Sequence, residues 1–205
     1  MGPVESMLHH SAYGRDLETL IVAVVDDRRP MLAMMRAMLA AIGVGRIETY
    51  DCPAEAIEAM TAAPPDLVIA AAAMQPMTGP ALVRTMRDAD AGPLCFIPAM
   101  ITSAHAKPHL VEESFRAGAH QVLVLPIAAS TLYRRLDWLT DDDRPYELHG
   151  DHYVVAGLEE RLALNFPRPA YTPVPVPARP PLAVAAPDDG FAQALPFALK
   201  VRVAS

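Results

Sequence analysis

Two adjacent carboxylates, Asp26 and Asp27, follow directly on the apolar run Leu20–Val25. Carboxylates at the carboxyl end of a buried strand offer hard oxygen ligands at the edge of a sheet, where a cation such as magnesium could be held. The pair also has a purely structural reading, in which Asp27 caps the helix that starts nearby and favours its positive end. His105, just after a later apolar run, could add a nitrogen ligand and turn the pair into a mixed metal site, or stay a solvent-exposed loop residue. Beside it lie Thr102 and Ser103, whose hydroxyls commonly bond the local backbone near strand ends.

Other chemistries lack their patterns. There is no Gly-rich phosphate loop, no G-x-G-x-x-G after the first strand and no G-x-S-x-G elbow. A phosphatase of the haloacid type needs a second aspartate two positions beyond Asp26, and Arg28 stands there. Cys52 and Cys95 have no metal-ligand spacing and read as reduced, buried thiols. The expectation is a binding protein and not an enzyme, with no cofactor required.

The elements that must position these residues are legible from periodicity. Between Thr19 and Leu139 short apolar runs alternate with stretches of helical spacing, the pattern of βα units. Strands are predicted at Leu20–Val25, Arg46–Tyr50, Leu67–Ala71, Phe96–Ile101 and Gln121–Leu125. Helices are predicted at Pro30–Ile42, Pro53–Thr61, Gly79–Asp88, Lys107–Ala117 and Ala129–Leu139, with Pro30 and Pro53 near helix starts, where a missing N–H is harmless. Right-handed crossovers make this (βα)5 string an α/β, doubly wound five-stranded parallel sheet, with ligands beyond the carboxyl ends of its strands.

The organisation expected is an N-terminal extension (1–18), a folded domain (19–140), a mixed extension (141–166) and a proline-rich tail (167–205) that absorbs much of an excess of 21 prolines. Closely spaced prolines in PRPAYTPVPVPARPPLAVAAP favour an extended polyproline II conformation. The last apolar stretch, Phe191–Val203, either docks as a short strand or helix or stays unattached. A net charge of −7 argues against nucleic acid and anionic lipid, both of which reward clustered Lys and Arg. Without a basic, apolar leader pattern or a membrane-length apolar run, a soluble cytoplasmic protein is expected.

The segment PDLVIAAAAMQPMTGPALVRTMR, with Met74, Met77 and Gly79 at characteristic spacing, resembles the third strand, loop and helix of a response-regulator receiver (CheY-like) domain of bacterial two-component systems. VVDDRRPMLAMMRAML, ETYDCPAEAIEAM, FIPAMITSAH and AGAHQVLVLPI extend the resemblance over about Leu20–Leu139. It implies a flavodoxin-like fold and a phosphoacceptor aspartate at the end of the third strand, with magnesium held beside the acidic pair. That position reads Ala71, and Ala70–Ala73 are all alanine, so no small shift of register restores a carboxylate. Asp66, five residues upstream, belongs to the opposite end of the strand.

The resemblance also implies a lysine before a conserved-type proline after the fifth strand, an aromatic switch on that strand and a phosphoryl-binding hydroxyl. Leu125, Val122 and Ser103 (or Thr102) stand at those places, with Pro126 kept and its peptide bond expected to be cis. Asp26, Asp27, Ala71, Ser103, Val122 and Leu125 therefore read as a degenerate phosphorylation site, with Asp26 and Asp27 left as weak magnesium ligands.

For partners, the first helix carries Met31, Met34, Met35 and Met38 besides Leu32, Leu39 and Ile42, more apolar circumference than one buried stripe needs. Either methionines are exposed as an adaptable interface framed by Arg28, Arg29 and Arg36, or they pack against the C-terminal extension. Trp138 is a second candidate, as a contact for a partner or for the folded-back extension. The expected function is a phosphorylation-independent adaptor or decoy in two-component signalling, meeting a histidine kinase, phosphotransferase or response regulator, or forming a homodimer. The alternatives are a receptor holding a small ligand such as a nucleotide in the emptied pocket, and a structural subunit of a larger assembly.

Overall fold

Five apolar runs become five parallel strands: β1 (Ile21–Val25), β2 (Arg46–Tyr50), β3 (Leu67–Ala71), β4 (Ala99–Ser103) and β5 (Gln121–Val124). The computed structural model describes residues 9–165, so residues 1–8 and the expected proline-rich tail with its Phe191–Val203 segment lie outside the described residues. The strands form one sheet in the order β2-β1-β3-β4-β5. Central β3 is buried at all five positions, as a strand covered on both faces must be, while edge strand β2 is only half-buried.

Alternating side chains feed two core layers. On one face Val22, Val24, Ile69, Met100 and Leu123 pack against α1 (Arg29–Ala41) and α5 (Ala129–Thr140) through Leu32, Met35, Leu39, Leu132 and Leu136. On the other Ala23, Val25, Val68, Ala70 and Ile101 meet α2 (Pro53–Ala62) and α3 (Gly79–Met86) through Ala56, Met60, Leu82, Val83 and Met86. The remaining helix of the alternation is α4 (Pro108–Arg116). This is the flavodoxin-like receiver architecture.

Most boundaries fall within a residue of the sequence expectation; β4, found at Ala99–Ser103 and not Phe96–Ile101, and the end of α3 differ more. Strand β4 begins at Ala99 and not at Phe96, because Gly92–Phe96 winds into a 3-10 turn and Pro98 has no N–H to give to a ladder. Helix α3 stops at Met86, where the backbone from Arg87 to Ala89 turns to pair with Asp151–Tyr153, and the Arg87 side chain is completely buried. Its guanidinium donates to the carbonyls of Gly118, Leu94 and Cys95 and lies 4.9 Å from the centre of the Tyr146 ring. Gly118 has φ +91°, and a Cβ there would come within 2.8 Å of Arg87 Cγ, so glycine is required at this contact.

The stretch after α5 is folded. It forms an antiparallel hairpin, β6 (Tyr146–His149) and β7 (His152–Val155), and then α6 (Leu158–Asn165). The hairpin is tied to the end of α3 by Tyr153 N–H to Arg87 O and Ala89 N–H to Asp151 O. Helix α6 lies on α4, where Val154, Leu158 and Leu162 enclose Phe115 beside Val111 and Val122. Residues before β1 are also held. Asp66 accepts hydrogen bonds from Arg15 (3.0 Å) and the Ile21 amide (2.9 Å), and its carbonyl accepts one from the Ser11 hydroxyl. Among the described residues no helix is long and apolar enough to cross a membrane.

Two stability predictions follow from buried polar groups. Replacing Arg87 by Met strips partners from three buried carbonyls while keeping apolar volume, and should cost about 2–4 kcal/mol in urea unfolding. His10, 3% exposed, has its pKa pushed below the ordinary 6.5 by burial, which outweighs the opposing pull of Asp142. The unfolded chain therefore takes up this proton at a higher pH than the folded one. The associated stability is present above pH 6.5 and is lost as pH falls from there through the folded pKa. Urea midpoints should drop across that window in the native protein and drop less in His10→Gln.

Candidate functional site

The carboxyl edge of the sheet brings the expected residues into one row. Val25 pairs with Ala70, so Asp26 stands beside Ala71 at the reversal of strand order. Ala71 pairs with Thr102, Ser103 pairs with Val124, and the Leu125 amide donates to the Ser103 carbonyl at 2.8 Å. The chain thus places Asp26, Ala71, Thr102, Ser103 and Leu125 along the ends of β1, β3, β4 and β5.

What these residues do there is set by their surroundings. Asp26 is 3% exposed, and its two oxygens receive Arg28 Nε and a terminal guanidinium nitrogen, each at 3.0 Å, with the Arg28 amide at 2.9 Å. A two-pronged guanidinium–carboxylate contact is among the strongest neutralising arrangements a protein can make. It also raises the Arg28 pKa further, through this hydrogen bond. Asp27 is exposed and accepts the Gln75 amide at 3.0 Å. It does not cap α1: Arg28 is the capping residue, with no side-chain bond, because Asp27 is drawn across to the loop after β3.

Around Ala71 the pocket is alkyl. Its methyl is buried among Ala70, Ala72 and Met74, and its carbonyl is approached so closely by Gly79 that a Cβ on Gly79 would lie 2.4 Å away. Leu125 is buried, and the bond to Pro126 is cis as expected; Gln75–Pro76 is also cis, which the sequence reading did not anticipate. Val122 is half-buried between the α3-side core and the α4–α6 cluster. The Ser103 hydroxyl donates to the His105 carbonyl and accepts the His105 amide, a closed local turn.

The donor set does not fit a magnesium ion. Both Asp26 oxygens face a guanidinium, Asp27 is engaged with Gln75, and Ala71 brings no oxygen ligand from its side chain. Nor does His105 join the pair: among the described residues the one set of converging ligand atoms is His10, His120 and Asp142, with His120 just before the amino end of β5, and sequence reasoning missed it because its members come from three distant stretches of chain.

The expected methionine surface is corrected in part. Met35 is 2% exposed and packs with Leu32 and Leu39 against α5, while Met34 and Met38 lean half-buried on the same cluster and Met31 is half-buried. Among the described residues, the wide apolar arc of this helix packs on the sheet and on α5. Its exposed side carries Arg29, Ala33, Arg36 and Ala37. Trp138 is 48% exposed, with the Arg144 guanidinium 5.2 Å above its ring.

Residues 22–137 match the model of the response regulator receiver domain. The chain belongs to this family. It is similar to the chemotaxis protein CheY4 of Vibrio cholerae, with 26% identity over 58% of this chain and 98% of that one and a TM-score of 0.54. A putative response regulator from Chloroflexus aurantiacus (21% identity, 60% and 98% covered, TM-score 0.55) shares the fold. So does the receiver domain of the sensor histidine kinase PA1611 from Pseudomonas aeruginosa (18%, 60% and 98%, TM-score 0.54), whose structure has magnesium coordinated in its active site cleft.

In this receiver the partner of Asp26 was within reach of sequence reasoning, since an arginine two residues from a buried carboxylate can return to it. Arg28→Ala should leave that carboxylate with a backbone amide as its sole remaining donor here and destabilise the domain by about 1–3 kcal/mol. Millimolar magnesium should recover part of the loss in the variant and leave the native protein unchanged, read as thermal shift.

Proposed function

We propose that this receiver acts as a phosphorylation-independent adaptor or decoy in two-component signalling, without enzymatic activity and without a metal at the Asp26–Ala71 edge. The observation that carries the reading is the buried methyl of Ala71 at the end of β3. A phosphoryl group needs an oxygen nucleophile there, and alanine has none. The neighbouring chemistry has changed in a consistent direction. Leu125 is alkyl where an ammonium would need an anionic partner, and Asp26 is neutralised internally by Arg28. An ammonium buried beside Ala71 without a counter-charge would cost several kcal/mol, so losing both is less costly than losing one.

With the chemistry gone, function rests on surfaces. The exposed side of α1, with Arg29 and Arg36 beside the strand ends, is the face that this reading assigns to a histidine kinase or phosphotransferase helix. Among the described residues, helix α6 covers part of α4, and α1 is the less obstructed of the two.

Acetyl phosphate with magnesium should leave the intact mass of the protein unchanged. A histidine phosphotransfer domain should bind with the same affinity with or without acetyl phosphate, and Arg29→Glu combined with Arg36→Glu should weaken it at least tenfold in calorimetry. A stable adduct of one phosphoryl group sinks the first part of this reading, and failure of all such domains to bind sinks the second.

A further inference from the structure

His10, His120 and Asp142 come from three separated stretches: the segment ahead of β1, the residue before β5 and the turn after α5. All three are buried, at 3%, 1% and 6% exposure, and one ligand atom from each lies within 4.8 Å of the others. The two imidazoles meet edge to face with centroids 5.2 Å apart. Neither ring nitrogen of His10 has a hydrogen-bond partner, although the backbone at Asp142 and Leu139 is near enough to favour its protonated form. A buried polar group left unmet in this way calls for a bound water or ion.

We propose that His10, His120 and Asp142 bind a divalent transition-metal ion of the zinc class. Two imidazoles and one carboxylate form a borderline donor set that suits zinc and its neighbours and not magnesium or calcium, which take oxygen. Tetrahedral zinc holds its donors roughly 3.3 Å apart, so the three side chains close by up to about 1.5 Å, and a fourth position is left for water.

Two existing contacts bear on this site. Both Asp142 oxygens are hydrogen-bonded by Arg144, whose guanidinium also lies over Trp138. Asp142 Oδ1 accepts both the Arg144 amide and its Nε, whereas Oδ2 accepts one guanidinium nitrogen and keeps a lone pair for the ion. Asp26 carries the same fork, but magnesium there would need several oxygen ligands. Here two imidazoles bring the other donors, and a single carboxylate oxygen, oriented by its outer-shell hydrogen bond, suffices. The Ala99 amide reaches His120 Nδ1 at 3.4 Å, a long hydrogen bond. Coordination through Nε2 moves the ring proton to Nδ1 and gives up that contact. The metal would clamp the segment before β1 to β5 and to the start of the hairpin extension. This site is independent of the Ala71 edge and of the adaptor reading.

The test uses the full chain, stripped with chelator and titrated with zinc, then with cobalt(II) as a spectroscopic probe. One equivalent should bind, with visible cobalt bands of a low-coordinate site and a rise in melting temperature of about 5–10 °C at zinc a hundredfold above its Kd. His10→Gln and Asp142→Asn should lose the bands and the shift, while a His149→Gln, His152→Gln double variant on the surface hairpin should keep both. X-ray absorption on the zinc-loaded native protein should count two imidazoles, a reading that does not depend on any variant folding. Absence of stoichiometric binding, fewer than two imidazoles, retention in His10→Gln, or loss in the hairpin variant overturns the proposal. A buried water bridging the three residues is the alternative such a result would leave.

Discussion

A carboxylate that is 3% exposed at the end of a buried strand must be neutralised, and the way Asp26 meets that requirement shapes the whole carboxyl edge of the sheet. Arg28 supplies the positive charge from two residues away, through a fork of two hydrogen bonds supplemented by its own amide. The guanidinium thus supplies an internal cation to this edge. Once the charge is balanced locally, the alkyl side chains of Ala71 and Leu125 are compatible neighbours, and the hydroxyl of Ser103 is free to close a turn with His105. The loop that carries Asp27 is spent on Gln75, which fixes the approach of the β3–α3 connection.

The opposite end of the sheet is governed by the same rule with the signs reversed. Among the described residues buried Arg87 has no carboxylate partner, and carbonyl oxygens and the face of Tyr146 take the place of a counter-ion. Because the carbonyls come from the turn after α4 and from the 3-10 turn before β4, and the ring comes from β6, this one side chain joins the hairpin extension to the five-stranded domain. Burial pushes the Tyr146 hydroxyl up to about 12 and lowers the Arg87 pKa, both consistent with a dry contact. Asp66 performs a parallel task for the segment before β1.

The strand pattern, the parallel sheet and the absence of a carboxylate at Ala71 were legible because each rests on local periodicity or on the identity of one residue. Residue type alone also excluded a nucleophile over the whole of Ala70–Ala73. The start of β4 was misplaced because Phe96 and Ile97 have strand-like side chains, whereas the backbone there follows Pro93 and Pro98. Helical spacing says how wide the apolar arc of α1 is, and not how wide the neighbour that covers it will be: Met31, Met34 and Met38 stay half-buried. With α5 known, Met35 is core.

The sequence by itself determined what chemistry Ala71 and Leu125 cannot do, since no arrangement in space gives a methyl or an isobutyl group a nucleophilic oxygen or a charge. It determined the order of the strands' residues and the cis-prone Leu125–Pro126 junction. Only the tertiary structure decided the fate of the charges that remain. Whether Asp26 faces a metal or Arg28, whether Arg87 points to water or into the core, and whether His10, His120 and Asp142 ever meet depend on contacts between distant segments. Desolvation is a property of what packs around a group, and packing across 130 residues of chain is not written in any local pattern.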